Sequence, residues 1–347
     1  MKAVYIEKPF DLKIADIPAP QVRNPDDVKI RILCGSICGS DVGIYNGRNS
    51  LATYPRIIGH EFGGIVEAVG TGVTKVKPGD YVAVDPVRSC GHCYACTHGH
   101  HNVCSALEVA GVHRDGGFCE YAVAPEIAVY PVDTTKISPE FLCFVEPYSI
   151  GAEVNNRAAV TAGDTVLVMG SGPIGLAVMQ FAKERGAKVM MTDILDPRLE
   201  RAKAMGADIA INTNVMDLKQ AVMDLTHGEG MPVIVDTICA AWSFELAISL
   251  SCPAGRIVTL GTNNQTSSIA QVDITKKELT IVGSRLSNYR FPEVIALLEA
   301  GKLNPEKMRT SVFPYTQARE ALECVMEHAD TECKVVLSFA ENSFSAN

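Results

Sequence analysis

Four cysteines fall within fifteen residues, Cys90, Cys93, Cys96 and Cys104, in the pattern C-x-x-C-x-x-C-x7-C through a turn-rich stretch. Four thiolates complete a tetrahedral zinc shell with no open position, so such a site braces a lobe and does no chemistry. An iron–sulfur cluster competes for the first three, but the fourth cysteine is too far on and no proline follows it, which favours zinc. A second set is dispersed: Cys38 in Cys38-Gly39-Ser40-Asp41, His60 and Glu61 in Gly59-His60-Glu61, and Glu146 in Val145-Glu146-Pro147. A thiolate, an imidazole and a carboxylate would leave one zinc position open, as Lewis-acid catalysis requires. Taken singly each residue is equally at home in buried packing, and spacing alone does not join them.

The third constellation is contiguous. Val166-Leu-Val-Met-Gly170-Ser-Gly172-Pro173-Ile174-Gly175 reads as a strand running into G-x-G-x-x-G, with a helix-forming stretch from Leu176 to Arg185 behind it. The first glycine permits the tight turn, the second lets a pyrophosphate approach the backbone, and the third packs helix against strand. The helix N-terminus then receives the phosphates. A second strand, Lys188 to Thr192, ends in Asp193, eighteen residues beyond Gly175. An acid there bonds the adenosine ribose hydroxyls and repels a 2′-phosphate, which predicts NAD over NADP. Arg198, close behind, could instead serve a phosphate or stack on adenine. Leu260 and Gly261, at the end of a later strand, are expected as further cofactor contacts.

These groups need elements to hold them. Up to about Pro147 the chain alternates in short segments such as Asp27-Val-Lys-Ile-Arg-Ile32 between Gly and Pro turns, the texture of a mainly β domain. From about Gly151 to Ser284, apolar runs at Val166 to Met169, Val189 to Met191, Val233 to Val235 and Ile257 to Leu260 alternate with helix-length amphipathic stretches. That predicts βαβ units on a parallel sheet. A helical stretch from Phe291 to Ala300 and a strand from Lys334 to Phe339 are too little for a third domain, and are expected to return to the first.

With 347 residues, 47% of them hydrophobic and 20% charged, the chain has material for two cores. A formal charge of -9 argues against a nucleic-acid or anionic-membrane partner. The amino terminus mixes charges and prolines and lacks the apolar core of a signal peptide. The uncharged run from Asp164 to Lys183 is interrupted by glycines and Pro173, against a membrane span. Twelve cysteines are then best read as thiols and metal ligands in a cytoplasmic protein.

The set Gly35-Ser-Ile-Cys38-Gly-Ser40-Asp41, Gly59-His60-Glu61-Phe62-Gly63, the four-cysteine lobe and the Gly170 fingerprint, in this order, resembles the zinc-containing medium-chain dehydrogenase/reductase family across essentially the whole chain. Tyr54-Pro-Arg-Ile-Ile-Gly-His60-Glu61, Asp85-Pro86, Ser89-Cys-Gly-His-Cys93, Gly111-Val-His113-Arg-Asp-Gly-Gly-Phe118 and Gly283-Ser-Arg285-Leu resemble its polyol and sugar-acid branch, especially L-gulonate and related hexonate 5-dehydrogenases. The resemblance implies an α/β protein: a GroES-like, mainly-β catalytic domain (1–150 and 289–347) carrying a structural zinc lobe (88–106), and a doubly wound Rossmann domain (151–288). It implies two zinc ions per chain, NAD, a small polar alcohol or sugar-acid substrate, and a homodimer or homotetramer.

Carried over to these positions, Cys38 and His60 become catalytic zinc ligands, Glu146 the third, directly or through water, and Glu61 a labile ligand. The metal would lower the pKa of a substrate hydroxyl, whose carbon gives its hydride to nicotinamide. Asp41 would orient His60, and Ser40 would take the substrate proton into a relay. Many relatives place a histidine five residues after the ligand cysteine, where this chain has Gly43. Water, the cofactor ribose or Tyr45 would serve instead. A hexonate needs a cation for its carboxylate. Arg285 leads, ahead of Arg114 and Arg88, with His113 a hydroxyl contact. Polyols and L-threonine are alternative substrates. A sensor that binds NAD and zinc without turnover, and a zinc-free quinone or enone reductase, are alternatives of other kinds.

Overall fold

A computed structural model describes residues 1–261 and 264–340. The chain divides into two compact units, Met1–Glu146 together with the residues from Phe291 onward, and Pro147–Arg290.

The first unit is mostly β. Its strands are β1 (Lys2–Lys8), β2 (Asp11–Asp16), β3 (Asp27–Ser36), β4 (Arg56–Ile57), β5 (Glu61–Val69), β6 (Tyr81–Val84), β7 (Val87–Arg88), β8 (Glu108–Val109), β9 (Tyr121–Pro125) and β10 (Val129–Pro131). The alternation that begins at Asp27 continues to Ser36. Val28, Ile30 and Ile32 point one way and are at most 1% exposed, packed with Phe62, Val66, Val82 and Val129. Burying one face of each strand in this way drives the sheet together. β3 pairs antiparallel with β5 so that Ser36 stands opposite Glu61, the register that matters for the site. Short helices α1 (Gly39–Tyr45) and α2 (Tyr94–Thr97) interrupt the strands.

The second unit carries β11 (Thr165–Met169), β12 (Lys188–Asp193), β13 (Ile209–Asn212), β14 (Met231–Asp236), β15 (Ser251–Thr259) and β16 (Thr280–Gly283). They form one parallel sheet in the order β13-β12-β11-β14-β15-β16. The chain winds outward from β11 through β12 to β13 and returns on the other side at β14. That reversal opens a crevice beyond the carboxyl ends of β11, β12 and β14, the place where doubly wound sheets bind ligands. β11 is buried on both faces, Val166 to Met169 being at most 1% exposed, which is why its sequence is apolar without alternation.

Helix α3 (Val145–Arg157) leads into this unit, and α4 (Pro173–Glu184), α5 (Asp196–Ala204), α6 (Leu218–Leu225) and α7 (Ala241–Leu250) follow successive strands. Helix α4 begins three residues before the expected Leu176, because Pro173 takes its first turn, where a missing N–H costs nothing. Most of the run from Asp164 to Lys183 is thus strand β11 and helix α4, and no helix among the described residues is long and apolar enough to cross a membrane.

The final strands, β17 (Arg309–Pro314) and β18 (Lys334–Ser338), belong to the first unit. β18 pairs antiparallel with the end of β3, Val336 opposite Ser36. This return brings Lys334 to the same corner of the sheet as Glu61.

Candidate active site

Three chain segments meet at the end of β3. Cys38 is the N-cap of α1, and Asp41 in the first turn accepts a hydrogen bond from the Cys38 backbone N–H at 2.9 Å. Asp41 is fully buried, and its other oxygen accepts from Gly59 N–H at 3.3 Å and lies 3.6 Å from His60 Nδ1. One carboxylate therefore ties the cysteine-bearing helix to the turn that carries the histidine. His60 Nε2 lies 3.5 Å from Ser40 Oγ. The Sγ of Cys38, a ring nitrogen of His60 and a carboxylate oxygen of Glu61 all lie within 4.8 Å of one another.

The donor chemistry of this group fits zinc: a soft thiolate, an imidazole and a carboxylate, with His60 and Glu61 buried. Burial lowers the His60 pKa, but the charges of Asp41 and Cys38 outweigh it and hold the imidazole well above its ordinary value.

Glu61, rather than Glu146, completes this triplet. Glu61 is 1% exposed and takes hydrogen bonds from Ser36 Oγ and from Lys334 Nζ, which reaches both carboxylate oxygens. Glu146, in the first turn of α3, is 5% exposed and lies outside the triplet while remaining within its electrostatic reach. Burial, reinforced by Glu61, pushes its carboxyl up to about 8 against the pull of His60 and Lys334.

The four-cysteine lobe springs from the two-stranded pair β7 and β8. Its four sulfurs lie within 4.8 Å of one another, Cys93 Sγ standing 3.5 Å from Cys96 Sγ and 3.8 Å from Cys104 Sγ. A zinc ion at about 2.3 Å from each thiolate of a tetrahedron sets its sulfurs roughly 3.8 Å apart, so the spacing fits one ion. It leaves no room for a multi-iron core. Backbone N–H groups of Cys96 and Ser105 hold the Cys93 thiol down at about 5, the thiolate form a metal requires.

In the second unit the glycine turn has the geometry its sequence implies. Gly170 has φ +101°, and a Cβ on Gly175 would stand 2.0 Å from the Gly170 carbonyl oxygen. A Cβ on Gly172 would meet nothing within 4 Å, so the space at the N-terminus of α4 lies open, as a pyrophosphate there would require. Gly170, Gly172, Pro173, Ile174, Gly175, Asp193 and Arg198 line one cavity of ≈ 880 Å³. Asp193 accepts from Ser171 N–H at 2.9 Å and Ile194 N–H at 2.8 Å, which fixes the carboxylate at the end of β12. Leu260 and Gly261 follow the end of β15, two strands from β11, and do not line this cavity.

Residues 24–134 match the alcohol dehydrogenase GroES-like domain and residues 173–300 the zinc-binding dehydrogenase domain. The chain is 41% identical to the starvation-sensing protein RspB of Escherichia coli K12, over 98% of this chain and all of that one. It is 30% identical to L-galactonate-5-dehydrogenase of the same organism, over 93% of this chain and 94% of that one. The crystal structure of rspB from E. coli CFT073 complexed with NADH superposes with a TM-score of 0.93 at 41% identity, covering 98% of this chain and 99% of that one.

The chain belongs to the zinc-dependent medium-chain dehydrogenase family.

Members of this family are NAD(P)-dependent oxidoreductases of the alcohol, polyol and sugar-acid type, and this dehydrogenase has their GroES-like and Rossmann-like folds. Its substrate candidates are dispersed. His113 Nδ1 accepts from Val109 N–H at 3.0 Å, and Arg114 donates to the Pro86 carbonyl at 3.1 Å, so both serve the backbone around β7 and β8. Arg88 pairs with Glu108 at 3.5 Å across the same strands. Arg285 is exposed just beyond β16. Tyr45, suggested as a relay member, is buried, and its hydroxyl oxygen accepts from Arg319 at 2.9 Å. Sequence reasoning missed Lys334 and Ser36. The one available signal was a lysine opening an otherwise apolar final strand, Lys334-Val-Val-Leu.

Proposed function

We propose that this dehydrogenase oxidises a secondary hydroxyl of a sugar acid, the 5-hydroxyl of a hexonate such as L-gulonate, with NAD as the hydride acceptor. The observation that carries the reaction is the convergence of Cys38, His60 and Glu61 within 4.8 Å in a buried corner. A zinc ion bound there would supply Lewis-acid polarisation of the substrate hydroxyl. Cys38 and His60 would hold the metal, Asp41 fixes both of their segments, and Ser40, beside His60 Nε2, would receive the substrate proton. Glu146 would be the third ligand, directly or through water, and Glu61, which Lys334 holds, the exchangeable one. With no side chain at Gly43 to carry it, the proton would leave Ser40 through water, the cofactor ribose or Tyr45.

Asp193 supports NAD over NADP, because its buried charge meets the adenosine ribose and opposes a 2′-phosphate. The sugar-acid substrate rests on the relative named L-galactonate-5-dehydrogenase and on the exposed Arg285 as carboxylate partner. None of the twelve cysteines, all among the described residues, forms a disulfide, which suits a cytoplasmic location. A homodimer or homotetramer belongs to the same reading, with the free edge of β16 available for pairing.

A panel of hexonates, polyols and L-threonine, each offered NAD and NADP and followed at the reduced-nicotinamide absorbance, separates the readings. Turnover of a hexonate with NAD is expected. Turnover of polyols alone would replace the substrate, and binding of zinc and NADH with no turnover would leave a sensor.

A further inference from the structure

Four of the thirteen large apolar side chains exposed among the described residues line the nucleotide cavity: Ile194, Met216, Ile238 and Trp242, between 40% and 57% exposed. Single exposed apolar residues are ordinary, but a group gathered in one concavity marks an apolar ligand surface. They come from the ends of four different elements: Ile194 follows β12, Met216 precedes α6, Ile238 follows β14, and Trp242 opens α7.

The last of these is held rigidly. Ser243, the next residue, is buried, donates to Asp236 Oδ2 at 2.7 Å and accepts from Ala240 N–H at 3.0 Å, which pins the first turn of α7. Met216 is fixed from the other side, since Asp217 caps α6 through the N–H groups of Lys219 and Gln220. Arg198, the side chain the sequence offers for stacking on the base, lies 3.6 Å from Asp193 and lines the same cavity. The apolar group offers the base a flat surface of its own.

We propose that Trp242 binds the adenine of the dinucleotide, its indole stacked on the base, with Met216 completing the apolar lining. This rests on the reading of the cavity as the NAD site. A purine presents a flat π-face with little charge, and an indole on a fixed helix turn covers it at low entropic cost. Recognition through the ring face alone tolerates any purine. The ribose and phosphates are recognised elsewhere, by Asp193 and the glycine turn.

Trp242 is the chain's one tryptophan, so its emission reports on this residue alone. ADP-ribose, which carries adenine without nicotinamide, is expected to quench that emission, and nicotinamide mononucleotide is not. By calorimetry, Trp242→Ala is expected to weaken ADP-ribose between about fivefold and about a hundredfold, the range of base–aromatic stacking, while Trp242→Phe retains most of the affinity. In turnover the same Ala variant is expected to raise KM for NAD by a larger factor than it changes kcat. ADP-ribose bound as tightly by Trp242→Ala as by the wild type, or bound without quenching, overturns the proposal and leaves the NAD site standing. A wild-type protein that binds neither ADP-ribose nor NADH overturns the NAD site and the proposal together.

Discussion

Lys334 and Glu61 form an ion pair nearly sealed from water, the lysine ammonium reaching both carboxylate oxygens with side chains 2% and 1% exposed. Two charges in such a place hold only as a pair: each cancels the desolvation cost of the other, and removing one strands its partner.

Replacing Lys334 with Met therefore leaves Glu61 buried and unpaired. A loss of roughly 3–5 kcal/mol of unfolding free energy is expected. The double variant Lys334→Met with Glu61→Gln recovers much of it, because no charge is then stranded. Denaturant titration of the zinc-loaded protein measures both. A single variant as stable as the wild type would show that the pair contributes nothing.

Cys104→Ser removes one of four sulfurs from a closed shell. The zinc content is expected to fall from two ions per chain to one, with a lower melting temperature, as structural zinc contributes folding energy directly. Elemental analysis counts the ions. Two retained ions would show that the lobe does not need its fourth thiolate.

Gly172 and Gly175 separate nucleotide binding from folding. Gly172→Ala meets no protein atom within 4 Å and φ there is -72°, so stability stays within about 0.5 kcal/mol of wild type, while NADH affinity drops as the methyl fills the phosphate approach. Gly175→Ala drives a Cβ to 2.0 Å from the Gly170 carbonyl oxygen and costs both stability and affinity. Calorimetric binding beside thermal unfolding resolves the two, and equal NADH affinity in Gly172→Ala and wild type would contradict the phosphate position.

Asp193→Asn removes the charge and keeps one acceptor oxygen of the two, so either Ser171 N–H or Ile194 N–H loses its side-chain partner. The ratio of kcat/KM for NAD to that for NADP is expected to fall about tenfold or more, as the repulsion of a 2′-phosphate disappears. An unchanged ratio would place cofactor selection elsewhere.

What the sequence by itself determined was whatever is local. The glycine turn, its helix and the acid at the end of the next strand occupy one short run, and the four cysteines span fifteen residues, so adjacency in the chain already implied adjacency in space. The parallel sheet was legible from apolar runs alternating with helical stretches, because strands covered on both faces have no polar side to show. The tertiary structure decided the rest. Cys38, His60 and Glu61 are joined by the antiparallel register of β3 on β5, and Glu61 finds Lys334 across 273 residues because β18 returns to β3. Tyr45 likewise receives Arg319, 274 residues away, on its hydroxyl oxygen. Such pairings carry no periodicity and no motif. They are set by which strands share an edge, a property of the whole chain's burial of apolar surface and of no segment taken alone.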